Sequence, residues 1–102
     1  MSDKDILKNL VQNIHNVITS LQGVYFYGSR VNEVVKSESD FDLIFIVTFK
    51  NHDESEFLSI ISDYMYQYDI FIDWHIYTLE ELIENPVFYT EVVEKGYYFS
   101  AA

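Results

Sequence analysis

The chain has no cysteine, which excludes disulfides and any thiolate metal site and removes the signature of small disulfide-stapled secreted domains. Positive charge is scarce too. Six Lys and Arg stand against seventeen Asp and Glu, a formal charge of −11, and the six are scattered at Lys4, Lys8, Arg30, Lys36, Lys50 and Lys95. Grip on nucleic acid relies on clustered Lys and Arg that neutralise phosphates. Direct nucleic-acid binding is therefore disfavoured, and a basic protein partner suits the charge better. No run of about eighteen apolar residues occurs, so a membrane-spanning helix is not expected. The start MSDKDILKNL lacks the basic-then-apolar pattern of a secretory leader, which makes a cytoplasmic location the expectation. Repeats, low-complexity tracts and linkers are missing as well. At 102 residues the expectation is a single domain over 1–102, with no room for a separate substrate domain.

What is present alternates between helical and strand periods. Ile6, Leu7, Leu10, Val11, Ile14, Val17, Ile18 and Leu21 recur at three- and four-residue steps and predict a helix from about Asp3 to Leu21, capped by Ser2 or Asp3 and ended by Gly23. A short strand, Val24 to Tyr27, and a brief helix through Val34 and Val35 follow. The polar stretch Lys36-Ser37-Glu38-Ser39 is a loop into a strand from Phe41 to Thr48. Asn51, His52 and Asp53 form a turn before a second amphipathic helix, Glu54 to Gln67, and a third strand runs from about Ile70 to Tyr77. A helix between strands implies a crossover connection. Thr78 with Glu81 reads as a capping box for a helix through Ile83. Asn85-Pro86 starts a last helix to about Lys95, Gly96 closes it, and Tyr97-Tyr98-Phe99 is a short edge strand.

Two features carry chemistry. Successive side chains in a strand alternate faces, so Asp40 and Asp42 present two carboxylates side by side where the second strand begins. Such a pair repels itself unless a cation intervenes, and all-oxygen ligation suits Mg²⁺ or Mn²⁺ rather than Zn²⁺. Upstream, Gly28-Ser29-Arg30 follows the strand at a strand-to-helix turn, a place where backbone N–H groups and a hydroxyl can hold phosphate. Taken singly, each has an ordinary structural reading, as a Ser-capped turn and as a solvated strand end. On the third strand Asp69, Phe71, Asp73, His75 and Tyr77 share one face, and Ile70, Ile72, Trp74 and Ile76 the other. Asp73, a carboxylate in mid-strand, needs a partner if buried, whereas Asp69 sits at a helix-to-strand junction and reads as a turn residue. His15, His52 and His75 have no zinc-site spacing and receive no role.

The combination GSR…SDFDL resembles the signature of the nucleotidyltransferase fold of the DNA polymerase beta superfamily. The short length, the N-terminal helix and the ending NPVFYTEVVEKGYYF resemble the minimal nucleotidyltransferase subgroup, over nearly the whole chain. That resemblance implies an α/β (α+β) fold, a mixed sheet with helices packed mainly on one face. It implies catalytic, metal-binding carboxylates at Asp40, Asp42 and Asp73, a nucleotide-binding turn at Gly28, Ser29 and Arg30, Mg²⁺ (or Mn²⁺) as cofactor and ATP as substrate. It further implies an antitoxin that adenylylates a tyrosine hydroxyl of a small helical HEPN-type toxin. The rival readings are a module that neutralises its partner by contact alone and an enzyme acting on a small molecule, as the aminoglycoside nucleotidyltransferases do. Where relatives often continue with Ala-Arg-Gly, this chain has Val31-Asn32-Glu33, one positive charge fewer near the triphosphate.

Overall fold

The computed structural model of the chain describes residues 2–28, 41–50 and 54–101. The expected brief helix through Val34 and Val35, the loop at 36–39 and the turn at 51–53 lie outside those residues, as do Ser29, Arg30 and Asp40. Helix α1 (Asp3–Val17) starts in a capping box: the Ser2 side chain accepts from the Asp5 N–H and the Asp5 carboxylate accepts from the Ser2 N–H. Its apolar stripe, Ile6, Leu7, Leu10, Val11 and Ile14, is buried. The helix ends at Val17 rather than at the expected Leu21, and Gly23 is a strand residue, not a helix stop. The β-branched run Val17-Ile18-Thr19 propagates a helix poorly. Leu21 instead pairs with Val47 and opens strand β1 (Leu21–Tyr27).

Strand β2 (Phe41–Val47) runs antiparallel to β1, and helix α2 (Glu54–Tyr68) crosses over to β3 (Ile72–Tyr77), which lies parallel to β2. Strand β4 (Tyr97–Ser100) pairs antiparallel with the other side of β1, so the sheet order is β3-β2-β1-β4 and the sheet is mixed. Strand β3 begins two residues later than expected, and Asp69 adopts a left-handed φ of 52° after α2. That conformation fits the turn role read for it.

Alternation decides which residues face which layer. Val24 and Phe26 of β1, Phe41, Leu43, Phe45 and Val47 of β2, and Ile72 and Ile76 of β3 pack with α1 and α2 into one core. Leu21 joins the same core although its parity is opposite to that of Val24, since a bulge between Leu21 and Gly23 shifts the register. Within that core Phe45 and Trp74 each meet Phe57 edge-on, at 5.1 and 4.8 Å between ring centroids. Ile44 and Ile46 point to the opposite face, where they meet Leu82, Val92, Tyr25, Tyr27, Tyr77 and Phe88. The two long helices thus share one face, and short helical segments partly cover the other.

Those segments are α3 (Leu79–Ile83), α4 (Pro86–Tyr89) and a π-helical turn, Thr90–Glu94. Thr78 and Glu81 form the expected capping box, and Asn85 caps α4 with Pro86 in its first turn. The expected last helix is present as an uninterrupted helical run from Pro86 to Glu94, whose second half takes π-helical rather than α-helical pitch. The Thr90 hydroxyl donates to the Pro86 carbonyl at 3.0 Å, and the wider turn that follows delivers Val92, fully buried, to the sheet. Among the described residues no helix is long and apolar enough to cross a membrane.

Candidate active site

Strand direction brings the site together. Strand β1 ends where antiparallel β2 begins, and β3, parallel to β2, begins at the same end of the sheet. The registers pair Tyr27 with Asp42 and Asp42 with Asp73. Asp42 alternates with Phe41 and Leu43 and so lies on the face of Ile44 and Ile46. Asp73, alternating with Ile72 and Trp74, lies on that face too. Neighbouring strands are about 4.8 Å apart, so two carboxylates paired in register on one face are near neighbours.

Gly28 closes this end. Its φ is +88°, a conformation that L side chains rarely adopt, and a Cβ placed on it would lie 2.3 Å from Asp42 Oδ2. The Asp42 carboxylate therefore sits against the backbone of Gly28, in space that only glycine leaves open. Asp42 is half-buried. Asp73 is exposed over 53% of its side chain, with His75 Nε2 at 3.9 Å from its Oδ1.

Tyr27 was not singled out by sequence reasoning, yet it belongs to this cluster. Burial first, and then the charges of Asp42 and Asp73 and the neighbouring Tyr77, push its phenol up from 10.0 to about 12. Phe88 meets the Tyr27 ring edge-on at 5.7 Å and the Tyr77 ring at 6.3 Å, and Tyr77 stacks on His75 at 5.8 Å. An aromatic wall thus flanks the carboxylates. The signal for it lay in the alternation of Val24-Tyr25-Phe26-Tyr27, which sends Tyr25 and Tyr27 to the face of Asp42.

Of the six site residues expected from sequence, Gly28, Asp42 and Asp73 lie together at one end of the sheet, and Ser29, Arg30 and Asp40 lie outside the described residues. Among the described residues no three His, Asp or Glu side chains form a group able to hold a metal ion. Asp42 and Asp73 make two, and the chain carries the third carboxylate of the expected set at Asp40. Their hard oxygen donors fit Mg²⁺ or Mn²⁺.

No family model matches the chain, and no curated protein matches it. Solved structures do. A chain of a crystal structure of a toxin–antitoxin with AMP-PNP aligns with a TM-score of 0.66 at 17% identity, over 95% of this chain and 72% of that one. A chain from the complex of a tri-AMPylated Shewanella oneidensis HEPN toxin with MNT antitoxin aligns with a TM-score of 0.61 at 18% identity, over 95% and 71%. The chain has the nucleotidyltransferase fold. A toxin–antitoxin MntA–HepT crystal structure shares the nucleotidyltransferase fold at a TM-score of 0.60 and 16% identity, over 94% of this chain and 70% of that one. At such identities the likeness is one of fold. The resemblance of GSR…SDFDL to that signature implied this fold, and the strands on either side of the motif, β1 and β2, pair antiparallel.

Proposed function

We propose that this chain is a Mg²⁺-dependent nucleotidyltransferase that moves AMP from ATP to a hydroxyl of a partner protein, a tyrosine of a HEPN-type toxin, and so acts as its antitoxin. The observation that carries the reading is the pairing of Asp42 with Asp73 on one face of the sheet, against the left-handed Gly28 turn. Support comes from the matched complexes, which include one with AMP-PNP and one with an AMPylated HEPN toxin. Another matched complex carries two Asp-to-Glu changes two residues apart, the spacing of Asp40 and Asp42.

In this reading Asp40, Asp42 and Asp73 would hold the metal, which would offset the negative charge of the triphosphate. Gly28 lets the backbone approach the phosphates without a Cβ, Ser29 donates its hydroxyl to a phosphate oxygen, and the Arg30 guanidinium pairs with the same group. Asp73 orients the acceptor hydroxyl and takes its proton. The hydroxyl oxygen bonds to the α-phosphorus as the bond from that phosphorus to the bridging oxygen breaks, and pyrophosphate leaves. Tyr27, held as a neutral phenol, adds no negative charge beside the carboxylates at physiological pH.

Intact-mass spectrometry of a HEPN-type protein encoded beside this chain, after incubation with ATP and Mg²⁺, tests the proposal. One or more AMP units should be gained with the wild type and lost with Asp42→Asn. A stable complex without any mass gain would instead favour neutralisation by contact, the reading that Val31-Asn32-Glu33 keeps open by omitting a second positive charge after Arg30.

A further inference from the structure

Beside the carboxylates, the outer strand of the sheet carries a cleft. Strand β3 is an edge strand among the described residues, and a space of about 360 Å³ is lined by Lys50, Glu54, Trp74, His75, Ile76 and Tyr77. Trp74 and Ile76 belong to one face of β3 and His75 and Tyr77 to the other, so the cleft lies along the outer edge of the strand.

A series of contacts joins this cleft to Asp73. His75 Nε2 lies 3.9 Å from Asp73 Oδ1, and the two side chains are 44% and 53% exposed. The His75 ring is within 7° of parallel to the Tyr77 ring, at 5.8 Å between centroids. Tyr77 is fixed in turn. Lys50 Nζ stands 5.3 Å over its ring and pairs with Glu81 at 3.0 Å, and Phe88 meets it edge-on. Asp73, His75 and Tyr77 thus form one row on the carboxylate face of β3, the acid first and the rings behind it.

Strand order indicates which substrate meets this row. Gly28 follows β1, Asp42 stands on β2 and Asp73 on β3, and β2 lies between the other two. In-line displacement sets the nucleophile and the leaving group on opposite sides of the phosphorus. With pyrophosphate held on the β1 side at the Gly28 turn, the acceptor oxygen arrives from the β3 side, at Asp73. In a phenol that oxygen is bonded directly to a ring, so a phenol brought to Asp73 sets its ring beside His75. The hydroxyl of Ser or Thr is bonded to Cβ and brings no ring.

We infer that His75 and Tyr77 receive the aromatic ring of a phenolic acceptor and so select a tyrosine hydroxyl over that of serine or threonine. The inference rests on the transferase reading for the direction of attack, whereas the cleft and its rings do not depend on it. Stacked and edge-on ring pairs attract beyond their buried area, and an aliphatic alcohol forgoes that attraction. The adenine of the nucleotide is the other planar guest, and the test separates the two.

Trp74, the one tryptophan of the chain, lines the cleft, and its indole N–H signal in ¹H–¹⁵N NMR reports occupancy. N-acetyl-tyrosinamide is titrated into the protein with Mg²⁺ and a non-hydrolysable ATP analogue, and N-acetyl-serinamide in parallel. The tyrosine probe should give saturable shifts at Trp74, His75 and Tyr77, with an affinity about tenfold above that of the serine probe, the worth of one ring pair. His75→Ala should weaken it by about fivefold, and His75→Phe, which keeps a ring, should restore it. His75 is exposed, so neither change should move the melting curve. Absent shifts, equal affinity for the two probes, undiminished binding by His75→Ala, or a loss that His75→Phe fails to repair would each overturn the inference. AMP that shifts the same three residues and displaces the tyrosine probe would assign the cleft to the nucleobase and overturn it as well. Binding of the ATP analogue is read separately, at the amides of Gly28 and Asp42. Tyrosine-probe binding without nucleotide binding sinks the transferase reading and leaves the ring subsite standing, and nucleotide binding without probe binding does the reverse.

Discussion

The face of the sheet under α1 and α2 and the face that carries Asp42 are built from the same strands, and on the function proposed above the first serves stability and the second chemistry. Beneath the long helices Phe41, Leu43, Phe45, Ile72 and Phe57 are at most 2% exposed, and aromatic pairs lock the layer. On the opposite face Ile44 and Ile46 are equally buried, but toward one end of the sheet the apolar surface gives way to Asp42, Asp73, His75 and Tyr27. Phe41, Asp42 and Leu43 are adjacent in sequence and serve opposite layers. A strand can do this because its side chains alternate with a period of two, so half of β2 can be optimised for packing without constraining the other half.

Two substitutions break that division from opposite sides. Phe45→Ala removes a fully buried ring from the first face and should cost about 3–5 kcal/mol of folding stability, read as a lower urea midpoint, while AMP transfer per folded molecule stays near wild type. Asp42→Asn should do the reverse. Loss of one charge at the reacting end is expected to slow transfer by about 10²–10³-fold, some 2.7–4 kcal/mol of barrier, with a midpoint close to that of the wild type. An Asp42→Asn protein that unfolds, or one that transfers normally, would show that the two faces do not divide the work.

How far this division could be read from sequence depends on which interactions set each element. The two long helices were legible because their apolar residues repeat at helical steps, and the Thr78–Glu81 box and the Asn85-Pro86 start were legible because caps are local chemistry. The end of α1 was not. Leu21 continues the helical repeat, and only its pairing with Val47 across the sheet turns it into a strand residue. The last helix was legible too, but its change to π pitch after Tyr89 was not, since that pitch goes with the burial of Val92 under the sheet. In the site, Asp73 stands at the second residue of β3, nearer the strand entry than the mid-strand place read for it, and Asp69 lies before the strand in a left-handed conformation. The role of Tyr27 beside Asp73 needed the β1–β2 register, which no local pattern supplies.

Gly28 sharpens the comparison because its requirement comes from both backbone and site. Gly28→Ala forces a side chain into a left-handed conformation, at a cost of about 1–2 kcal/mol, and its Cβ meets the Asp42 carboxylate, 2.3 Å from Oδ2. Transfer should therefore fall further than the loss of stability accounts for. Gly28→Asn separates the two effects, since Asn tolerates the left-handed region better than Ala and still carries a Cβ. The expected pattern is a smaller loss in unfolding midpoint with a similar loss in transfer. Should Asn restore both, the requirement at this position is backbone conformation alone and the Asp42 carboxylate is free to adapt.

The smallest effect belongs to Tyr27, and it appears only in alkali. Burial, followed by the charges of Asp42 and Asp73, holds its phenol near 12 in the fold against about 10 in the unfolded chain. Below pH 10 the group is neutral in both states and linkage to its proton changes nothing. As pH rises from 10 toward 12 the unfolded chain releases this proton and the folded chain keeps it, so stability drains away across that window. Tyr27→Phe should lower the slope of urea midpoint against pH between 10 and 12 without abolishing it, because Tyr25, Tyr64 and Tyr98 are also raised, chiefly by burial. Asp42→Asn made in parallel reads the electrostatic share: with one carboxylate neutral, Tyr27 ionises more readily in the fold and the slope should again flatten, by less than in Tyr27→Phe. An unchanged slope in Asp42→Asn would mean that burial, with Asp73 and Tyr77, perturbs Tyr27, and that the phenol and the Asp42 carboxylate share a sheet face without sharing a field.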